Sequence, residues 1–247
     1  IPENEVALTV AYFRLAAIAA MAVAAAAALD GRRRLRLVTI FGQAVFTLAT
    51  AFVGDYTQFV GAQMATRLFG YAEEMLCYVV IAEEVAAGAR GWASGTLSAL
   101  HYFGTGIASL VFVAINLLPY GWRSIYVIGA VPLFAVAYLR RRLPETQRFA
   151  LRREEIGERI SRIKATLILL RQMASEYPGR LSAILIAVAV FGFATSPAFV
   201  LTSKYLQSVH HYTPGEVTAL FIPGGLIGLA LSILTGRLSD RIGRKPV

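Results

Sequence analysis

Seven long apolar runs constrain this chain more than any other feature. They are Val6–Leu29, Leu37–Val53, Phe59–Ala82, Trp92–Leu118, Trp122–Leu139, Leu181–Gln207 and Val217–Thr235. A helix needs about 20 apolar residues to cross the hydrocarbon core of a bilayer. The second run is short and crosses best with little tilt. Barrel strands are excluded because the runs are long and do not alternate. The expected fold class is therefore all-α, a polytopic transmembrane helix bundle. Composition points the same way: 57% of residues are hydrophobic and 16% charged, against about 45–50% and about 25% in soluble domains. A net charge of +9 raises nucleic acid as a partner. The basic residues lie in blocks between apolar runs, however, which is a membrane pattern and not a nucleic-acid face.

Those blocks set a direction. One set of loops holds Arg32, Arg33, Arg34 and Arg36, then Arg90, then Arg140 to Arg180, then Arg237, Arg241, Arg244 and Lys245. Together these are 20 of the 24 basic residues. The opposite loops hold Arg123 and Lys204 at span ends, and Arg14 and Arg67 lie inside spans. Basic loops stay cytoplasmic, so the chain is expected to begin outside and end inside. The long basic loop repeats Ile156, Ile160, Ile163, Leu167 and Leu170 every three or four residues. This spacing predicts an amphipathic linker helix. It divides the chain into residues 1–142, 143–180 and 181–247. The chain opens on Ile and closes one residue after a Pro in a charged loop, so it reads as part of a longer protein. Arg outnumbers Lys and Ala is abundant, which suggests a bacterial source.

The third run carries the charges that need explaining. Arg67, Tyr71, Glu74 and Tyr78 are spaced by four, three and four. Seven residues at about 100° each return to within about 20° of the start, so the four form one row. Glu73 lies beside it. An ionised group near the bilayer centre costs about 2.5–3.5 kcal/mol on insertion scales, so the row is expected to face water, a partner or a substrate. Glu74, with Glu73 as second candidate, is the expected proton carrier, because a carboxyl in a partly dry cavity exchanges a proton most readily near neutrality. Arg67 is expected to pair with it or to hold an anionic substrate group. Direct contact between Arg67 and Glu74 is not expected two turns apart. His101 in the fourth span is a further proton-relay candidate, although a lone His beside Gly104 is more often structural. Thr195 and Ser196 precede Pro197, which is expected to kink the sixth span.

Two loops resemble each other. Asp30-Gly-Arg-Arg-Arg34 follows one apolar helix and Gly236-Arg-Leu-Ser-Asp240-Arg-Ile-Gly-Arg-Lys245 follows another. Such internal repeats mark secondary transporters built from six-helix halves. The second copy matches the G-x-L-x-D-R-x-G-R-K signature of the major facilitator superfamily at every defined position, and the chain is identified as resembling that family. Glu83-x6-Arg90-Gly91 and Pro144-Glu-Thr-Gln-Arg148 resemble its sugar-porter and organic-acid:proton symporter branches. The first copy departs from the pattern, with Ala26 at the leading Gly position and a shorter turn. Ala86 stands where the Glu-to-Arg stretch usually has Pro.

The resemblance implies helices 2 to 8 of twelve, with helix 1 and helices 9 to 12 absent. It implies that Asp30, Arg32, Arg33, Glu83, Arg90, Glu145, Arg148, Gly236, Asp240, Arg241, Gly243 and Arg244 form a cytoplasmic gate. Gly224, Gly228, Ser232 and Gly236 recur every fourth residue and allow a neighbouring helix to approach closely. Gly243 supplies a tight turn. Asp240 at the membrane edge is expected to cap a helix N-terminus or to pair with Arg from another helix. The third span would be helix 4, lining a central cavity, and the sixth would be helix 7.

The expected function is proton-coupled symport of a small polar metabolite across the inner membrane by alternating access. The full-length protein is expected to be monomeric. Proton-driven drug efflux and a non-transporting nutrient sensor are the alternatives. No G-x-S-x-G, Walker loop or H-E-x-x-H occurs in the sequence, so no enzyme activity is expected. An integral membrane transferase using His101 lacks a second catalytic group at a legible spacing. No cofactor is expected, and the single cysteine, Cys77, rules out a multi-cysteine metal site.

Overall fold

The computed structural model describes residues 3–30, 32–142, 168, 171–172 and 175–243. Seven long helices account for most of them: α1 (Glu3–Asp30), α2 (Arg32–Thr50), α3 (Tyr56–Glu84), α4 (Arg90–Val113), α5 (Trp122–Arg140), α6 (Pro178–Ser208) and α7 (Pro214–Ile242). No strand occurs among the described residues. The amphipathic helix expected between Ile156 and Leu170 lies almost entirely outside them.

Each apolar run became one helix, but the helices overrun the runs at the charged ends. α2 starts at Arg32 instead of Leu37, and α7 continues from Thr235 to Ile242. Hydropathy reports the solvent, whereas the backbone ladder continues through good helix formers such as Arg in water. The reverse holds at the other end of α4. Its last apolar residues tighten into a short 3-10 turn, Ala114–Leu117. α4 with its preceding turn (Ala87–Val113), α5 and α7 are both long and apolar enough to cross a membrane. α1 and α6 hold shorter apolar stretches, Leu8–Ala24 and Leu185–Thr195. The charges within α3 and the arginines opening α2 lower their hydropathy. α6 runs from Pro178 to Ser208 as one helix, Pro197 included.

The starts of α3 and α7 are locally encoded. Asp55 caps α3 by accepting from the Gln58 N–H at 2.8 Å. Thr213 and Glu216 form a reciprocal capping box ahead of α7, with Pro214 in the first turn. Gly243 ends α7 at φ 94°, a conformation that favours glycine.

α3 packs against α1 and α2, and α2 packs against α5. α4 lies mainly along α7. Small side chains make the first set of contacts close: Ala16, Ala20, Ala44, Ala72, Ala130 and Ala137 are all buried. Phe46 and Phe69 stack with centroids 5.8 Å apart, over Gly42. Many large apolar side chains face outward, among them Phe193 at 85% exposure. Lipid accommodates such a surface where water would not.

Candidate functional site

At the α4–α7 crossing the two main chains come into direct contact. A Cβ on Gly91 would lie 2.5 Å from the Gly236 carbonyl oxygen, and one on Gly95 would overlap the carbonyl of Ser232. One on Gly236 would in turn overlap the Gly91 carbonyl. Farther along, Gly228 faces the Tyr102 ring, 3.2 Å from where its Cβ would stand. Three members of the expected small-residue stripe therefore form the seam, while Gly224 has open space beside it.

Asp240 completes that seam. The N-cap position of α4 is Ala89, whose side chain makes no capping bond. The first turn of a helix leaves four N–H groups unsatisfied. Asp240 reaches across from α7 and takes two of them: Gly91 N–H donates to Oδ1 at 2.8 Å and Trp92 N–H donates to Oδ2 at 2.7 Å. The carboxylate thus stands at the positive end of the α4 dipole and accepts two charge-assisted bonds. Of the two roles expected for Asp240, helix capping is the one seen. Arg241 beside it is exposed.

α3 carries two polar faces. The expected row of Arg67, Tyr71, Glu74 and Tyr78 forms one. Arg67 and Glu74 are exposed. The Arg67 guanidinium lies over the Phe13 ring of α1, 4.6 Å from its centroid. Tyr78 Oη lies 3.5 Å from Ser98 Oγ of α4. The other face is anchored in protein. Glu73 is buried and forms an ion pair with Arg140 at the end of α5. Its second oxygen accepts from Thr39 Oγ1 of α2 at 2.5 Å, and the Cys77 Sγ lies 3.7 Å from the first. Gln63 Nε2 donates to Thr50 Oγ1 of α2 at 3.1 Å, ten residues before Glu73 along α3. Glu73 is thus bonded between helices, while its neighbour Glu74 is exposed.

The whole chain, residues 1–247, matches the family model of the Major Facilitator Superfamily. It belongs to that superfamily. Similar proteins include the "Ectoine/proline transporter ProP" of Corynebacterium glutamicum, 28% identical over 66% of this chain and 31% of the relative. The "3-(3-hydroxy-phenyl)propionate transporter" of Escherichia coli (strain K12) is 35% identical over 49% of this chain and 30% of that protein. A "Putative metabolite transport protein" of Haemophilus influenzae is 26% identical over 64% of this chain and 37% of the relative. The chain spans about a third of the length of the curated relatives it matches. These relatives are named as transporters, not as enzymes.

The other residues expected in the gate and the cavity, where described, make separate contacts in this superfamily member. Arg33 Nη2 donates to the Arg141 carbonyl at 2.9 Å, tying the start of α2 to the end of α5. Arg90 Nε donates to the Val85 carbonyl at 3.1 Å and closes the turn between α3 and α4. Glu83 is half-buried near the end of α3. Glu145, Arg148 and Arg244 lie outside the described residues, as do the side chains of Asp30, Arg32 and Ser196. Thr195 Oγ1 donates to the Phe191 carbonyl of its own helix at 2.8 Å. His101 is exposed and meets Tyr102 edge-on, centroids 6.4 Å apart.

Sequence reasoning did not place Gly91 and Gly95 at a helix seam, nor Thr39 and Arg140 beside Glu73. The four-residue spacing of Gly91 and Gly95 was a readable signal, equal to that in α7. Nothing local marks Thr39 or Arg140 as partners of Glu73. Sequence reasoning also missed an aromatic cavity of about 610 Å3 at the end of the bundle opposite the arginine-rich loops, lined by Tyr56, Phe59, Trp122, Arg123 and Tyr126 among others.

Proposed function

We propose that this segment belongs to a proton-coupled symporter that moves a small polar metabolite by alternating access. The protein would lie in a bacterial inner membrane, with the arginine-rich ends of the helices on the cytoplasmic side. The observation that carries the reading is the Asp240 clasp on the N-terminus of α4. A carboxylate on two backbone N–H groups is a joint that water can replace, so it suits a gate that must open in every cycle. Hydrogen bonds to charged groups contribute about 1.5–3 kcal/mol each, enough to bias two states without trapping one. Glu74 is the proposed proton carrier, and Arg67 the proposed contact for an anionic group of the cargo. Relatives named for ectoine and proline, and for a phenylpropionate, support a small polar cargo.

The test is uptake by the intact protein in proteoliposomes, with and without a pH gradient. In Glu74→Gln, uptake is expected to lose its response to the gradient while counterflow of cargo persists. Unchanged gradient dependence in that variant would remove Glu74 from the coupling role.

A further inference from the structure

The two faces of α3 are mechanically linked. Glu73 and Glu74 are consecutive, so their side chains leave the helix about 100° apart. Whatever fixes Glu73 therefore fixes the direction of Glu74, and through the helix the whole row from Arg67 to Tyr78. Glu73 is held from two elements at once, by Arg140 of α5 and Thr39 of α2. Gln63 on α3 and Thr50 on α2 add a second anchor farther along the helix, about 80° round from Glu73. Two anchors, separated along a helix and round it, oppose its rotation more firmly than a single contact does.

We propose that the Glu73–Arg140 ion pair, seated on Thr39, is a rotational lock that turns the Arg67–Tyr71–Glu74–Tyr78 row toward the transport pathway. Glu73 is then a positioning residue, and proton exchange belongs to Glu74. The inference rests on the transport reading above, in which that row handles cargo and proton. Its geometric part is independent of that reading. The charged and titratable groups around Glu73 are Arg140 from α5, Arg36 from α2, and Cys77 and Glu74 from α3. Arg36 acts electrostatically on both Arg140 and Cys77. A buried pair that loses one partner is strongly disfavoured, whereas reversing both charges keeps the attraction.

The experiment uses the intact protein in membranes and reads the direction of Glu74 directly. Glu74→Cys is placed in a Cys77→Ala background and labelled with a charged methanethiosulfonate reagent from water. Adding Arg140→Gln is expected to slow labelling severalfold. Substituting Glu73→Arg together with Arg140→Glu is expected to restore it. Unchanged labelling in the Arg140→Gln protein overturns the lock, whatever transport does.

Uptake adds a second readout in proteins that keep Glu74. Glu73→Gln is expected to lower transport per folded molecule by about tenfold to a hundredfold, the cost of misplacing a site group by about an ångström. The residual activity should keep the parental pH profile. A flattened profile in Glu73→Gln would make Glu73 the proton carrier and overturn the assignment. Restored labelling in the swapped protein with uptake that ignores pH throughout leaves the lock standing and removes the coupling reading instead.

Discussion

The α2–α3–α5 joint and the α4–α7 seam hold helices together by different means. The joint is made by side chains: the Glu73–Arg140 ion pair, the Thr39 and Gln63 hydrogen bonds, and the Phe46–Phe69 stack. The seam is made by backbone. Gly91, Gly95 and Gly236 bring main chains into contact, and Asp240 binds two main-chain N–H groups. Glu73 is buried and Arg140 half-buried, so losing either partner strands a largely desolvated charge, and the joint is suited to remaining closed. A glycine seam ending in one solvent-accessible carboxylate has little to desolvate or resolvate. It is suited to parting and closing again. The contrast assigns rigidity to one set of contacts and motion to the other.

The sharpest way to break that contrast is to fill the seam. Gly95→Leu meets the Ser232 backbone, which has no rotamer to yield. The cost should exceed the about 1–3 kcal/mol of ordinary overpacking. Transport by the intact protein should be lost, along with disulfide cross-linking between cysteines placed on α4 and α7. Retained cross-linking would mean that α4 and α7 stay together with the added side chain, so that the seam is not a close-packed contact.

Removing the clasp should have a smaller effect. Asp240→Ala leaves two N–H groups of α4 without their acceptor, at about 1–3 kcal/mol. Asp240→Asn should lose less, since one oxygen remains. Accessibility of the cytoplasmic half of the pathway to a thiol reagent should rise in that order, Asn before Ala. Equal accessibility in all three proteins would reduce Asp240 to a topological charge.

The smallest effect is expected at Thr195. Its hydroxyl bonds to the Phe191 carbonyl within α6. Thr195→Val should therefore shift thermal stability in detergent by no more than about 0.5 kcal/mol. A larger change, or a changed KM, would move Thr195 into the cargo site.

Much of this is legible in the sequence. The apolar runs announced every long helix, because about 20 apolar residues have few other ways to be buried. The Gly236-to-Lys245 motif singled out Asp240, and the four-residue spacing of Gly228, Ser232 and Gly236 announced a close helix contact. The row on α3 followed from helical periodicity alone. Glu73 was harder. Sequence grouped it with Glu74 as an alternative for one role, because adjacent carboxylates look alike on paper. Arg140 stood among basic residues read as topological, and Thr39 had no distinguishing neighbour.

Periodicity along one helix is a property of the chain, so the sequence by itself determined which residues share a face and which segments are helical. Which helix each face meets depends on contacts between residues far apart, such as Asp240 with Gly91 and Arg140 with Glu73. Those pairings require the relative depth and rotation of separate helices, and packing of the whole bundle sets both. Only the tertiary structure therefore decided that Asp240 binds backbone, and that the two neighbouring glutamates face different surroundings.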